Sequence, residues 1–487
     1  MGEAGTGNRI IKNGIFNILK TASTILFPLM TIPYISRILR ADDIGKINFS
    51  RSVVNYFSLI ASLGVHTYAI RTCSKARGSR EELGRTASQI FSINLCTMIL
   101  SYGMLFALLV FSSKLRPYDR LIMIFSLSIC FQILGADWLN MAMEDFKYIS
   151  VRTFITQLLS FVCLLMFVKQ EEDFIRYAFI IALSSCGANM MNMFYRKKFC
   201  RIRFTADMKP GLHMKPIFLL FSLLLAQSVL SNLDITMLGL FKSEAEVGYY
   251  SMTVHIYTTV EMIISSVAFV LIPQLSCYFD TGNETKINGL LHSALNFIIV
   301  FGLPFFTGLF LLSGEILTIV CGEAYAAAAP GLSMLAVAMM INLLGGGFWG
   351  NLILLPSGRD GQFMAACLVS AIFNAAANYI FIPKYGMGGA AFTTVLSVAI
   401  IMMLCMAKPD KRIHIDYKMK ELASPGTGAV LIALICLICK KMIAGVILRV
   451  TLCVILGAIT YTASIFAGRN ELAVIVEKRW LRRRPPE

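Results

Sequence analysis

The chain has 487 residues, of which 57% are hydrophobic and 15% are charged. Soluble domains are about 45–50% apolar and about 25% charged, so this composition excludes a soluble globular enzyme. The formal net charge is +16 at pH 7, from 44 Lys and Arg against 28 Asp and Glu. Nucleic acid would be a partner only if these basic residues shared one exposed face.

Apolar runs long enough to cross a bilayer follow one another along the chain. A hydrocarbon core of about 30 Å needs about 20 apolar residues per helix. The runs predict an all-α integral membrane protein with about 14 transmembrane helices. Their predicted bounds are residues 14–39, 47–70, 86–112, 119–141, 150–168, 174–195, 216–241, 248–279, 288–313, 327–356, 362–382, 388–407, 426–440 and 445–467.

Basic residues are concentrated in every second connection between these helices. Basic connections stay on the cytoplasmic side of a membrane. The strongly basic ones are residues 71–85, 196–215, 408–420 and 469–484. All four fall on the inner side if both termini are cytoplasmic. The positive charge therefore predicts the topology, and we expect no nucleic-acid partner.

The connections are too short to form a soluble catalytic domain. No phosphate-binding loop, GxSxG motif, dinucleotide fingerprint or His/Cys metal spacing stands in a suitable sequence context. Cys436 and Cys439 form a lone CxxC pair within an apolar run, where they are best explained as small buried hydrophobes. We expect a transporter that works between its helices, with no enzymatic activity, metal or organic cofactor.

Two segments that lie six predicted helices apart resemble each other. Aligning Gly45 with Gly248 places an aliphatic residue directly before each glycine and an acidic residue before that. Because six is even, the two halves keep the same orientation, which predicts a parallel repeat. We expect a six-helix bundle at residues 1–212 and a second at 213–410. Two extra helices and a basic cytoplasmic tail follow at 411–487.

Polar residues recur at helical spacing on four predicted helices, which places them on one face of each helix. Such faces favour a water-filled cavity within the membrane. Hydrogen bonding between packed helices is the alternative. The residues predicted to line the cavity are Asn17, Thr24, Asn55, Gln227, Ser231, Asn374 and Asn378.

Three basic residues lie in the first two predicted helices: Lys20, Arg37 and Arg51. Together they predict a cationic wall that suits phosphate, because Arg offers a two-pronged donor and Lys a point charge. Arg37 and Arg51 lie near the outer ends of their helices, so snorkelling to lipid headgroups is the alternative for these two.

Three acidic residues, Asp137, Asp234 and Glu261, also lie within predicted helices. A membrane-embedded carboxylate either pairs with a basic residue or exchanges a cation or proton. Glu261 is the deepest and is the first candidate for coupling transport to an ion gradient, ahead of Asp234 and Asp137. Ion pairing, or a structural hydrogen bond, is the alternative.

Three stretches of the chain carry motifs of a known family. The first begins at Ile25 and reads ILFPLMTIPYISRILRADDIGKINFSRSVVNY, the second begins at Ala136 and reads ADWLNMAMEDFKYISVR, and the third begins at Pro383 and reads PKYGMGGAAFTTVLS. They resemble the N-terminal signature, the fourth-helix exit and the turn between helices eleven and twelve of Wzx-type polysaccharide flippases. This family shares a superfamily with the MATE exporters and the lipid II flippase. The chain departs from it at residues 140–144, where a Gln-Gly pair is expected.

The resemblance implies an alternating-access flippase of the bacterial cytoplasmic (inner) membrane. Its substrate would be an undecaprenyl-pyrophosphate-linked oligosaccharide, moved to the outer leaflet under a H⁺ or Na⁺ gradient. Lys20 and Arg51 map onto the family's cationic cavity, and the two helices after residue 411 are expected to shape a groove for the lipid tail. A polysaccharide polymerase and glycosyltransferases would be pathway partners. A MATE-like small-molecule exporter and a membrane polysaccharide polymerase or ligase remain alternatives.

Overall fold

A computed structural model describes residues 26–408, 410, 412–414, 419–474 and 477; Asn17, Lys20 and Thr24 lie outside this part of the chain. Throughout the described part, the regular secondary structure is helical. The all-α class predicted from the sequence is therefore confirmed. Contacts along the chain divide it into two compact units, residues 1–248 and 249–487.

The first unit contains nine helices within the described residues, and the start of a tenth. Short breaks rather than long loops separate most of them. Their bounds are 26–38 (α1), Ala41–Ser62 (α2), Val65–Lys75 (α3), Arg80–Phe111 (α4), Asp119–Gly135 (α5), Asp137–Ala142 (α6), Phe146–Phe167 (α7), Phe174–Tyr195 (α8) and Pro210–Phe241 (α9). Helix α10, Glu244–Asp280, begins in this unit and continues into the second.

The second unit is built from the rest of α10 and six further helices, again over the described residues. Their bounds are Glu284–Leu311 (α11), Ser313–Cys321 (α12), Ala329–Asn342 (α13), Asp360–Met406 (α14), Met419–Met442 (α15) and Val446–Ala467 (α16). A π-helical segment, Leu343–Leu354, prolongs α13 and contains the three consecutive glycines of this region.

Side-chain caps fix where several of these helices begin. Ser79 accepts a hydrogen bond from the N–H of Glu82 at the start of α4, at 3.3 Å. Asn283 does the same for Lys286 in α11, at 3.1 Å. A capping oxygen satisfies one of the N–H groups that the first helical turn leaves without a partner. The sequence therefore specifies these helix starts locally.

The predicted count of fourteen transmembrane helices is not confirmed. Over the described residues, ten helices are long and apolar enough to cross a membrane, or eleven if the bent pair Glu244–Ser266 and Leu271–Asp280 forms one span. Helix α14 counts once among the ten, although its 47 residues would extend about 70 Å as a straight helix. Its backbone turns at Gly386, where φ is 55° and ψ is −132°. Glycine tolerates this conformation because it has no Cβ.

The two glycines that define the sequence repeat pack at the start of α2 and the start of α10. A Cβ added to Gly45 would lie 1.8 Å from the carbonyl oxygen of Glu244, and one added to Gly248 would lie 2.1 Å from that of Ala41. Each helix can therefore approach the backbone of the other this closely only because it has a glycine at the point of contact. Tyr118, in the turn before α5, donates a hydrogen bond to the Glu244 carboxylate at 2.8 Å and packs edge-on against Phe49 of α2.

We expect Gly45→Ala to lower the free energy of unfolding by about 1–3 kcal/mol, because the new methyl group would push two backbones apart. Gly103→Ala is the matched control, since a Cβ there would meet no atom within 4 Å. Alanine is favoured over glycine within a helix by roughly 0.5–1 kcal/mol, so the control should be neutral or stabilising. Thermal unfolding of the detergent-solubilised variants measures both. Equal melting temperatures would contradict the close packing at Gly45.

Candidate functional site

The polar stripe of α2 faces polar groups on three neighbouring helices of the first unit. Arg51, Asn55 and Ser58 recur at intervals of four and three, so they share one face of the helix. Ser58 donates to Gln132 of α5 at 2.9 Å. We call Arg51, Asn55 and Ser58, with the side chains that contact them, the polar α2 face.

Helix α9 supplies the second part of this face. Asn55 donates to the side-chain oxygen of Asn232 at 3.2 Å. One helical turn further along α9, Thr236 donates to Ser52 at 2.9 Å and lies 3.2 Å from the hydroxyl of Tyr56. The hydrogen bonds thus join two helices along a line of amides and hydroxyls, while Asn55 itself stays exposed.

Arg51 is the basic group of the polar α2 face. It lies about 15 Å along α2 from Ala41, is half-buried, and is close to Tyr177 of α8. Two other cations of the region have carboxylate partners: Lys46 pairs with Asp43 at 3.1 Å and Arg40 with Glu171 at 3.6 Å. Within the described residues, no carboxylate oxygen lies within 4 Å of the Arg51 guanidinium.

The other predicted members of the cationic wall are placed differently. Lys20 lies outside the described residues, and Arg37 is an exposed side chain on α1. Of the two predicted cations that the structure describes, Arg51 lies on the polar α2 face and Arg37 lies on α1.

The polar residues predicted on the seventh helix lie on α9. Gln227 and Ser231 are exposed, and the Ser231 hydroxyl donates to the carbonyl oxygen of Gln227 at 3.0 Å. Asp234 is buried on the same helix and lies near Tyr56 of α2. The two exposed residues therefore lie at the surface of the unit, whereas Asp234 belongs to its interior.

Asn374 and Asn378 are buried between the two arms of α14, with 1% and 0% of their surface exposed. Asn374 donates to the Ser397 hydroxyl at 3.1 Å, and Asn378 donates to Asn374 at 2.9 Å and accepts from Thr393. This network joins residues on either side of Gly386. Asn374 and Asn378 therefore take part in hydrogen bonding between packed helix segments, which was the alternative to lining a cavity.

Two of the predicted acidic residues have defined partners. Asp137, the first residue of α6, forms a 2.6 Å ion pair with Arg152 of α7. Glu261 accepts a hydrogen bond from the side-chain amide of Asn342, at 2.5 Å, which joins α10 to the end of α13. Asp137 is therefore held by a cation, whereas the Glu261 carboxylate has a neutral donor.

The sequence reasoning missed several side chains that complete these sites. Asn232 and Thr236 lie four residues apart on a predicted helix, so their shared face was visible in the spacing. Gln132 and Asn342 are single polar residues in apolar runs, Tyr177 follows Arg176 at the start of α8, and no spacing indicates the partners of these three residues. Over the described residues, no group of three or more His, Cys, Asp and Glu side chains could hold a metal ion.

Solved structures share this fold. A lipid II flippase, MurJ, in an inward closed conformation matches with a TM-score of 0.75 and 14% identity, over 93% of this chain and 98% of that one. An inward-facing multidrug resistance MATE transporter of the MOP superfamily matches with a TM-score of 0.59 and 12% identity, over 80% and 96%. At these identities the likeness extends to the fold alone.

Sequence comparisons identify the family. A Shigella dysenteriae protein named for O-antigen transport is 21% identical over 408 residues, which cover 82% of this chain and 100% of that protein. A Haloferax volcanii protein named as a low-salt glycan biosynthesis flippase, Agl15, is 25% identical over 174 residues, or 36% of each chain. The family model described as "Polysaccharide biosynthesis protein" matches residues 10–279, more than half of the chain. The chain belongs to this polysaccharide biosynthesis protein family, which confirms the relationship expected from its motifs.

Proposed function

We propose that this protein is a flippase for an undecaprenyl-pyrophosphate-linked oligosaccharide repeat unit. It would move this unit from the inner to the outer leaflet of the bacterial cytoplasmic membrane by alternating access, for cell-surface polysaccharide biosynthesis. The family, the relatives named for O-antigen transport and glycan flipping, and the fold shared with MurJ support this proposal. It acts as a transporter and not as an enzyme.

The observation that carries the proposal is Arg51 on the polar α2 face. A charged side chain within a membrane costs about 2.5–3.5 kcal/mol on insertion scales, and an anionic partner would offset this cost. The described residues supply no carboxylate to Arg51, and a pyrophosphate group would supply the missing charge. The exposed amide of Asn55 beside it would hydrogen-bond sugar hydroxyls in a water-filled cavity.

An apolar groove in the second unit would receive part of the lipid tail of such a substrate. It has a volume of about 660 Å³ and lies between α10, α11, α12, α15 and α16. Its walls include Phe301, Pro304, Val454, Ala458 and Tyr461. Residues of the last two helices, α15 and α16, form one side of this groove.

We expect Ala458→Trp to lower transport several-fold, because the indole would fill the groove that receives the tail. Ile459→Trp is the matched control, since Ile459 is 60% exposed on the same helix and lies outside the groove. Flipping rates are compared at equal protein levels in the membrane. Equal rates for the two variants would exclude the groove from the transport pathway.

Glu261 is the proposed coupling residue, with H⁺ or Na⁺ as the driving ion. Its carboxylate meets only an amide donor among the hydrogen bonds of the described residues. We expect Glu261→Gln to abolish the acceleration of flipping by an imposed ion gradient, because the amide cannot exchange a proton or bind a cation as a carboxylate does. Glu323→Gln, at an exposed acid, should keep the full acceleration. A gradient response that survives in Glu261→Gln would assign coupling elsewhere.

Deletion of the gene tests the function in the cell. The lipid-linked oligosaccharide should accumulate with its glycan facing the cytoplasm, and the surface polysaccharide should be lost. A polysaccharide polymerase and glycosyltransferases of the same pathway are the proposed partners, and both termini are proposed to be cytoplasmic. If the deletion instead raised sensitivity to cationic drugs and left the polysaccharide intact, a small-molecule exporter would replace the flippase.

A further inference from the structure

A basic cavity lies between the start of α4 and the segment that follows α8. It has a volume of about 510 Å³, and the residues that line it include five cations and no carboxylate: Arg80, Arg196, Lys197, Cys200, Arg201, Ile202 and Arg203. A neighbouring cavity of about 850 Å³ shares Arg80, Arg201 and Arg203, adds Arg85, and contains the carboxylates of Glu81 and Asp207. We call the first, smaller space the basic cavity.

The segment that forms one wall of the basic cavity is held in place along α4. The N–H of Arg203 donates to the Ser88 hydroxyl at 3.1 Å, and the N–H of Thr205 donates to Ser92 at 2.8 Å. Cys200 is buried and joins the apolar core, while Arg201 is exposed. Alternation of this kind is typical of extended backbone. The arginines therefore project from a fixed wall.

Arg196 lines the basic cavity and carries a buried donor atom that no described residue accepts from. Its guanidinium stacks over the ring of Phe91, at 4.9 Å from the ring centre. Its Nη1 atom is buried and has no hydrogen-bond partner among the described residues. Native proteins satisfy nearly all buried donors, so this Arg196 donor is an exception that a bound anion at the basic cavity would explain. The preference for basic residues on the cytoplasmic side of a membrane explains exposed arginines. It does not explain why Arg196 has a buried donor atom.

We propose that the basic cavity binds a phosphate or diphosphate group. Arginine guanidinium groups match phosphate oxygens in pairs, and a fixed set of them around one space favours an anion of high charge density. The basic cavity has no carboxylate in its lining, whereas the larger cavity beside it is lined by Glu81 and Asp207. The site is distinct from Arg51 and does not require the chain to move a glycan. The phosphate comes either from a lipid headgroup or from solution.

Binding is tested with the full-length chain in phosphatidylcholine nanodiscs, in an Arg51→Ala background that removes the proposed transport site. Inorganic pyrophosphate is titrated by calorimetry, and phosphatidylglycerol or undecaprenyl diphosphate is added to the discs in separate arms, with native mass spectrometry as the readout. We expect saturable binding in at least one arm. Binding of pyrophosphate identifies a soluble source, and binding confined to a lipid arm identifies a headgroup.

Substitutions of residues that line the basic cavity test whether binding occurs at this cavity. Arg196→Ala and Arg201→Ala should each weaken binding at least tenfold, and Arg196→Lys, which keeps the charge above Phe91, should weaken it less. Arg71→Ala, at an exposed arginine of α3 outside the cavity, should change it less than twofold. Melting temperatures identify variants that fail to fold, and Arg201→Ala is surface-exposed and expected to fold. Absence of binding in all three arms, or equal binding by Arg201→Ala and Arg71→Ala, would overturn the proposal.

Discussion

Replacing Arg51 with alanine is expected to lower flipping of the lipid-linked oligosaccharide by about 10–100-fold, with normal amounts of protein in the membrane. A hydrogen bond to a charged group contributes about 1.5–3 kcal/mol, and each 1.4 kcal/mol corresponds to a factor of about ten. Arg51 has no carboxylate partner among the described residues, so its removal strands no buried acid. The variant should therefore fold and insert normally while it loses the contact to the pyrophosphate.

Two further variants separate this effect from a general loss of charge. Arg51→Lys keeps the positive charge but not the two-pronged donor, so we expect an intermediate rate. Arg40→Ala removes an exposed arginine that lies 3.6 Å from Glu171. Exposed ion pairs contribute at most about 1 kcal/mol, so transport by this control should stay near the wild-type rate. Wild-type flipping by Arg51→Ala would refute the role of the polar α2 face.

Replacing Asp137 with asparagine is expected to lower the free energy of unfolding by about 3–5 kcal/mol. The change removes the negative charge that compensates Arg152, and loss of one charge of a buried ion pair typically has this effect. The Arg152 side chain is only 2% exposed, and its Nε and Nη1 atoms already lack hydrogen-bond partners among the described residues. A steep fall in melting temperature and in membrane abundance should follow.

The double variant Asp137→Asn/Arg152→Met distinguishes ion pairing from coupling. Methionine removes the stranded charge, and apolar replacements of buried ion pairs are often close to neutral, so much of the stability should return. Flipping by the double variant should still respond to an ion gradient. If Asp137→Asn were as stable as the wild type and lost only the gradient response, Asp137 would be a coupling residue and not a structural one.

Helical spacing was sufficient to place Arg51, Asn55 and Ser58 on one face of α2. The similarity of the segments around Gly45 and Gly248 was also visible in the sequence, although the close approach of α2 and α10 at these glycines required the structure. Spacing reports which residues share a face, because the helical period is fixed. Helical spacing does not indicate which residues of other helices that face contacts.

Asn374 and Asn378 show this limit directly. Their spacing is the same as that of a cavity-lining stripe, yet the turn at Gly386 folds α14 back on itself and buries both amides against Ser397 and Thr393. Asp137 is a second example of this limit. Its partner Arg152 lies on α7, beyond the short helix α6. Such partners depend on tertiary packing, which no local pattern records.

Flipping by the purified protein alone tests the central claim most directly. The protein is reconstituted into liposomes with a fluorescent undecaprenyl-pyrophosphate-linked oligosaccharide, and a membrane-impermeant glycosidase reports the fraction of glycan on the outer surface. We predict that an imposed ion gradient makes the inner-leaflet pool accessible in wild-type liposomes, and far more slowly in Arg51→Ala liposomes. Accessibility that rises no faster with wild-type protein than in protein-free liposomes, with H⁺ and with Na⁺ gradients, would contradict it.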